Sequence, residues 1–264
     1  MISSTSNQQI KNLILLQTKS KAREKQNAFV IEGVKMFEEV RNQSKESLVK
    51  TYVAKSLYDE LRISNPKYLE GIDYEIVTDQ VFKEISETMT PQGILAVVKK
   101  PSYDLESMIA KDNATLLVLE DIRDPGNLGT MMRTAEGAGV TGIILSSSSV
   151  DMFNPKVIRS TMGAIYRVPF VYVDDMVSIL KHLQNNGVSS YAAHLSATKF
   201  YDEITYPKKT AMIIGNEANG IKEETAKAAS AFIKIPMEGN VESLNAGVAA
   251  AILMYEVYRQ RRQG

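Results

Sequence analysis

Three short segments, far apart in the chain, hold the side chains whose types and spacing suit chemistry. They are Asp124-Pro-Gly-Asn-Leu-Gly-Thr-Met-Met-Arg133, Gly215-Asn-Glu-Ala-Asn-Gly220 and Ile235-Pro-Met-Glu-Gly-Asn-Val-Glu-Ser-Leu-Asn245. Together they offer the amides of Asn127 and Asn245, the guanidinium of Arg133, the carboxylate of Glu217, the hydroxyl of Ser243 and backbone groups at glycine turns. They contain no cysteine, no histidine and no clustered acids, which makes a poor transition-metal site. Without a histidine near Ser243 they also make a poor serine-hydrolase triad. What such groups do well is position a bound cosubstrate and stabilise charge on it.

The elements that must position these groups are legible. Each segment follows an apolar run that reads as a buried strand: Leu116–Leu119, Ala211–Ile214 and Ala231–Ile235. If the three strands lie side by side, their turns meet at one sheet edge, where open α/β folds bind ligands. Further strands are expected at 142–145, 168–172 and 188–193, alternating with helices, so the second half predicts a parallel sheet covered on both faces. The first hundred residues alternate in the same way, with strands at 28–31, 49–53, 73–77 and 94–98. The pair Lys99-Lys100 and Pro101 suit a linker, and a short helix is expected from about Asp104 to Ala110. The organisation expected is therefore a small α/β domain over 1–100, a linker over 101–112 and a larger α/β domain over 113–264.

Within the first motif, Asp124-Pro125 reads as an N-cap followed by Pro at the first helical position. Asn127 and Arg133 are then separated by about 600° of helix rotation and point in different directions on a continuous helix. They serve one site only if Asn127 stays in the turn before the helix, or if one of them faces a second subunit. In the second motif, Gly215 and Gly220 have four residues between them as in a P-loop, but Ile221-Lys222-Glu223 lacks the Lys-Ser/Thr that must follow. Gly215 reads instead as a close backbone approach to a flat ligand, with Glu217 at the mouth of the turn. In the third, Pro236 ends a strand, Glu238–Ser243 forms a loop, and Ser243 caps a last helix from Leu244 to about Arg261, takes part in catalysis, or does both. His182 and His194 fall outside all three motifs.

These motifs, in this order and spacing, resemble those of the SpoU-type (TrmH-like) RNA ribose 2′-O-methyltransferases. The resemblance spans about Asn113 to the C-terminus and includes Asn154-Pro-Lys-Val-Ile-Arg-Ser-Thr-Met-Gly163. Phe29-Val-Ile-Glu-Gly-Val-Lys35 is similar, over a shorter stretch, to the opening of the family's small RNA-binding domain. The resemblance implies a SPOUT catalytic domain with a C-terminal trefoil knot. It implies methyl transfer from S-adenosyl-L-methionine to a ribose 2′-hydroxyl, with no metal. It places Asn127, Arg133, Glu217, Ser243 and Asn245 around the reacting centre, Arg133 handling the proton or anchoring a phosphate. Backbone groups at Gly215, Ile235 and Leu244 would hold the cosubstrate. Ribosomal RNA is the expected substrate; a tRNA methyltransferase and a non-catalytic RNA-binding or ribosome-associated protein of the same fold are the alternatives. A dehydrogenase or kinase is disfavoured, since Gly-x-Gly-x-x-Gly and a true P-loop are both missing.

Composition bounds the rest. The 264 residues are 44% hydrophobic, with 31 basic and 31 acidic side chains and no cysteine. That is normal for a globular protein, gives no disulfide framework and, with no secretory leader pattern at the start, favours a cytoplasmic home. A neutral total does not favour a generic phosphate binder, but the charge is uneven. Between Gln9 and Lys35 lie Lys11, Lys19, Lys21, Arg23, Lys25 and Lys35 against only Glu24 and Glu32, a patch able to contact RNA phosphates. The small residues Ala246–Ala251 in the last helix permit close approach of another backbone, and with the divergence of Asn127 and Arg133 they predict a homodimer.

Overall fold

The computed structural model describes residues 1–241 and 243–263 and divides into two compact units. The first comprises Met1–Pro101 together with Phe153–Tyr166. Its sheet contains β1 (Ala28–Glu32), β2 (Leu48–Ala54), β3 (Tyr74–Val77) and β4 (Ile94–Lys99), in the order β1-β4-β2-β3. β4 runs antiparallel to both neighbours, and β2 and β3 are parallel. The helices are α1 (Gln8–Thr18), α2 (Ser20–Gln26), α3 (Val34–Gln43), α4 (Lys55–Ser64) and α5 (Asp79–Ile85). α1 lays Ile10, Leu13 and Leu16, spaced as one helix face, into a core with Val30, Tyr52, Phe82 and Val97.

The second unit comprises Ser102–Met152 and Arg167–Gly264. It opens with α6 (Leu105–Ile109), capped by Asp104 and burying Met108 and Ile109, so the expected linker segment is partly core. There follow β5 (Thr115–Leu119), α7 (Pro125–Gly137) and β6 (Gly142–Ser146). The chain then makes an excursion through α8 (Pro155–Thr161), which packs on β1 and belongs to the first unit. The contiguous stretch 113–264 expected for the second domain is therefore interrupted. Phe153 explains the interruption: its ring lies 4.8 Å from that of Phe29, filling the first unit's core.

The second unit resumes with β7 (Phe170–Val173), α9 (Met176–Asn185), β8 (Ser189–Ala193), β9 (Lys199–Phe200) and β10 (Thr210–Ile214). It ends with α10 (Glu223–Ala228), β11 (Ala231–Lys234) and α11 (Ala246–Gln263). The sheet is parallel throughout, in the order β7-β6-β5-β10-β8-β11-β9. β5, β6 and β10 are buried along their whole lengths, as expected of Leu116–Leu119 and Ala211–Ile214, whereas β11, expected to be buried, has only Ile233 fully covered because it lies next to the edge strand β9. β7 begins two residues later than expected, because Pro169 has no N–H to give the ladder. The two-residue β9 carried no periodic signal and was not anticipated.

Candidate active site

In a parallel sheet the register decides which turns become neighbours. Leu119 of β5 pairs with Ile214 of β10, Ile213 with Ala192 of β8, and Ala193 with Ile233 of β11. The segments that leave β5, β10 and β11 are the three motifs, so they share one edge. Between β10 and β11 lies β8, and the turn His194-Leu195-Ser196-Ala197 therefore stands between the second and third motifs. His194 falls outside the three motifs, yet register brings it to the same edge. Its Nδ1 accepts a hydrogen bond from the Ser196 N–H at 3.1 Å, and its ring stacks on Phe232 at 4.8 Å. Leu195 beside it is 76% exposed. The signal was present as an apolar run ending in a polar turn, but without the Gly and Asn that marked the other three. His182 lies elsewhere, on α9, where its Nε2 meets the Glu106 carboxylate.

The first motif folds as its residues dictate. Asp124 caps α7 by accepting from the Asn127 N–H at 2.7 Å, with Pro125 at the first helical position. Asn127 thus lies inside the first turn of a continuous helix, which removes the alternative of a pre-helical Asn127. Arg133, six residues on, is exposed and hydrogen-bonds to none of Asn127, Glu217 and Asn245. Within one chain it is not brought to them.

The second motif is a tight turn closed by reciprocal backbone bonds between Asn216 and Gly220, at 3.0 and 2.8 Å. Gly215 is required for it: a Cβ there would lie 2.2 Å from the Gly220 carbonyl carbon and 2.3 Å from the Ile221 nitrogen. The close approach expected of Gly215 is thus made by its own chain. Asn216 is buried, accepts from the Ala218 and Asn219 N–H groups, and donates to the Asp121 carbonyl at 2.8 Å. Asp121 takes φ +55° to present that carbonyl. Behind it, buried Glu120 accepts from the Lys222 N–H at 2.8 Å and the Thr225 hydroxyl at 2.7 Å. Glu120, Asp121 and Asn216 were missed as supports of the site; an acid directly after an apolar strand was the available signal.

The third motif corrects one assignment. α11 begins at Ala246, and its cap is Asn245, whose Oδ1 accepts from the N–H groups of Gly247 (2.9 Å) and Val248 (3.3 Å). Ser243 is not the cap, because it precedes the helix by too many residues to reach those N–H groups. It is exposed, Leu244 is half-buried, and Ile235 is half-buried just beyond β11. Glu242 of the expected loop lies outside the described residues. Gly247 keeps the helix start open: a Cβ there would stand 3.2 Å from Asn245 Oδ1 and 3.7 Å from Asn127 Oδ1.

The three motifs meet in one chain of contacts. Asn127 Nδ2 donates to Glu217 Oε1 at 2.6 Å, and Asn245 Nδ2 donates to Asn127 Oδ1 at 3.0 Å. A helix N-terminus, two amides and a carboxylate are thereby ordered in a row, each amide nitrogen donating to the oxygen of the next group. Among the described residues no group of three or more His, Cys, Asp or Glu is placed to hold a metal ion.

Comparison with known proteins places this arrangement. Residues 114–255 match the model of the SpoU rRNA Methylase family, and residues 7–96 match that of the MRM3-like substrate binding domain. The chain belongs to the SpoU rRNA Methylase family. It is 37% identical to the 23S rRNA (guanosine(2553)-2′-O)-methyltransferase RlmP of Bacillus subtilis, over 97% of this chain and 98% of that one. It is 30% identical to the 23S rRNA (guanosine-2′-O-)-methyltransferase RlmB of Vibrio vulnificus, over 89% and 98% of the two chains. An AdoMet-bound rRNA methyltransferase from Sinorhizobium meliloti superposes with a TM-score of 0.85 at 26% identity, covering 98% of this chain and 97% of that one.

Proposed function

We propose that this protein transfers a methyl group from S-adenosyl-L-methionine to a ribose 2′-hydroxyl of ribosomal RNA. The observation that carries the reading is the contact chain Glu217–Asn127–Asn245, which joins residues from all three motifs at one sheet edge. The relatives named above act on 23S rRNA, which favours ribosomal RNA over tRNA.

The residues fit such a cosubstrate. The edge offers an exposed apolar side chain at Leu195, backbone groups at Gly215, Ile235 and Leu244, and a single row of polar groups rather than a metal cage. S-Adenosyl-L-methionine supplies an electrophilic methyl on sulfur, so the C–S bond breaks as the C–O bond forms and the hydroxyl loses its proton. Asn127 is held at both ends of its amide, by Glu217 and by Asn245, and acts as a positioning residue, holding Glu217 in place. Glu217 uses one oxygen for Asn127, and its other oxygen is the proton acceptor this site offers. Asn245 ties the row to the positive end of α11, where Ser243 also sits and developing negative charge is favoured.

Arg133 enters by a second subunit in this reading. It lies on α7, which packs against α11, and α11 exposes Val248, Tyr255 and Tyr258 along one side. A homodimer built on that face covers these side chains and brings the partner's guanidinium to the site, where it anchors an RNA phosphate. The knotted C-terminal threading, the RNA-binding role of the first unit and a cytoplasmic setting belong to the same proposal. Among the described residues no helix is long and apolar enough to cross a membrane.

Incubation of the full chain with labelled S-adenosyl-L-methionine and 23S rRNA, followed by nuclease digestion, should yield a 2′-O-methylated nucleoside. Label in tRNA alone would redirect the substrate assignment. Binding of rRNA with no transfer would leave a non-catalytic RNA-binding protein.

A further inference from the structure

The balance of 31 basic and 31 acidic side chains conceals a division. The first unit holds 17 Lys and Arg against 13 Asp and Glu, whereas the second holds 14 against 18. The excess positive charge therefore lies on the unit that carries no part of the candidate active site. The basic stretch from Lys11 to Lys35 does not act as one patch. Arg23 is buried, and its guanidinium donates to the carbonyls of Leu16 (2.7 Å) and Gln17 (3.0 Å), closing the C-terminal end of α1. It is a structural clasp and leaves the set of phosphate contacts expected from the sequence.

What remains has a defined shape. Arg23 and a reciprocal pair of amide bonds, Asn12 to Gln26 at 3.1 and 2.9 Å, hold α1 and α2 together as a rigid corner. Gln17 fixes that corner to the core by donating to the Ile85 carbonyl at 2.9 Å. On its outer side lies a depression of about 450 Å³ lined by Leu15, Thr18, Lys19, Ser20, Lys21 and Ala22. Leu15 is 44% exposed on its floor. Lys11, Leu15 and Thr18 recur at helical spacing, so Lys11 continues one rim, and Lys25, one turn beyond Lys21, continues the other. Lys11, Lys19, Lys21 and Lys25 are exposed and make no ion pair among the described residues; the acid beside them is Glu24.

We infer that this α1–α2 corner is the surface that holds the RNA, its lysines on successive phosphates and a nucleotide seated over Leu15. The inference rests on the RNA reading given above and adds where on the chain the contact is made. Four cations around an apolar floor complement a polyanion whose sugars and bases carry apolar faces. An acidic protein segment would match the charge but offers no flat group for a shallow depression of this size.

The test uses the full chain and deproteinised 23S rRNA. The combined substitution Lys19→Ala, Lys21→Ala and Lys25→Ala should lower affinity at least about tenfold at moderate salt. It should also lower the slope of log K against log salt by roughly two, as expected when three phosphate contacts are lost. A control with the same charge change elsewhere on the unit, Lys45→Ala with Lys67→Ala and Lys83→Ala, all exposed and outside the basic stretch, should keep most of the slope. Leu15→Asp should weaken binding alone, and calorimetry with S-adenosyl-L-methionine should give parental affinity for all three variants. Equal affinity and slope for the corner and control variants, with methyl transfer by the parent intact, would overturn this surface and leave the activity standing. A parent that neither binds nor methylates 23S rRNA would remove both.

Discussion

Asn127, in the first turn of α7, donates its amide to the carboxylate of Glu217, ninety residues later in the chain, at 2.6 Å. The other end of the same amide accepts from Asn245 at 3.0 Å, so one side chain fixes the relative position of all three motif turns.

Truncation of that side chain should therefore act on turnover. A hydrogen bond to a charged group is worth about 1.5–3 kcal/mol, and Asn127→Ala should slow single-turnover methyl transfer by at least roughly tenfold. Asn127→Asp should be worse, because it places a second carboxylate against Glu217 where a donor is needed. Parental turnover in both variants would show that the contact chain has no part in the reaction.

The placement of Arg133 predicts complementation between inactive variants. Asn127→Ala and Arg133→Ala proteins should each be weakly active alone. Mixed under conditions that exchange subunits, they should recover activity, since each heterodimer carries one site with both residues intact. If subunits exchange randomly, recovery approaches about a quarter of parental activity, half of all dimers having one good site of two. Subunit exchange without recovery would place both residues in the same chain's site, and sedimentation as a monomer with full activity would remove the dimer altogether.

Glu120 predicts a stability effect. Its buried carboxylate satisfies the Lys222 N–H and the Thr225 hydroxyl, and Glu120→Ala leaves both without their acceptor. The loss should be about 2–3 kcal/mol, seen as a fall of roughly 5–10 °C in melting temperature. An unchanged melting curve would mean that the turn after β10 does not depend on this anchor.

Glu256 gives a pH dependence with a defined sign. Hydrogen bonds from Arg259 hold its carboxyl below the ordinary glutamate value, with a further bond from Gln260, despite partial desolvation that opposes the shift. A lowered folded-state pKa stabilises the protein above the unfolded pKa of about 4.3, and that contribution is lost as pH falls through the folded value. Melting curves of the parent and Glu256→Gln should therefore differ at neutral pH and converge on acidification below about pH 4.5. A constant difference across that range would dissociate Glu256 from the acid limb.

Much of this arrangement was legible in the sequence because the signals are local. Apolar runs ending in Gly- and Asn-rich turns gave the strands β5, β10 and β11 and the motifs after them; Asp124-Pro125 gave the start of α7. The rotation between Asn127 and Arg133 followed from helix geometry alone. Tertiary structure decided what depends on pairing between distant segments. Only the register of β8 between β10 and β11 brings the His194–Ala197 turn to the site, since strand order leaves no mark on either strand's own residues. The aromatic contact of Phe153 with Phe29 assigned Phe153–Tyr166 to the first unit. Asn245 rather than Ser243 became the cap because the start of α11 is set by its packing beside Asn127, where Gly247 leaves room. Arg23 likewise reads as a surface cation in sequence and is a buried clasp in the fold, because the carbonyls it meets are freed only when α1 ends beside it.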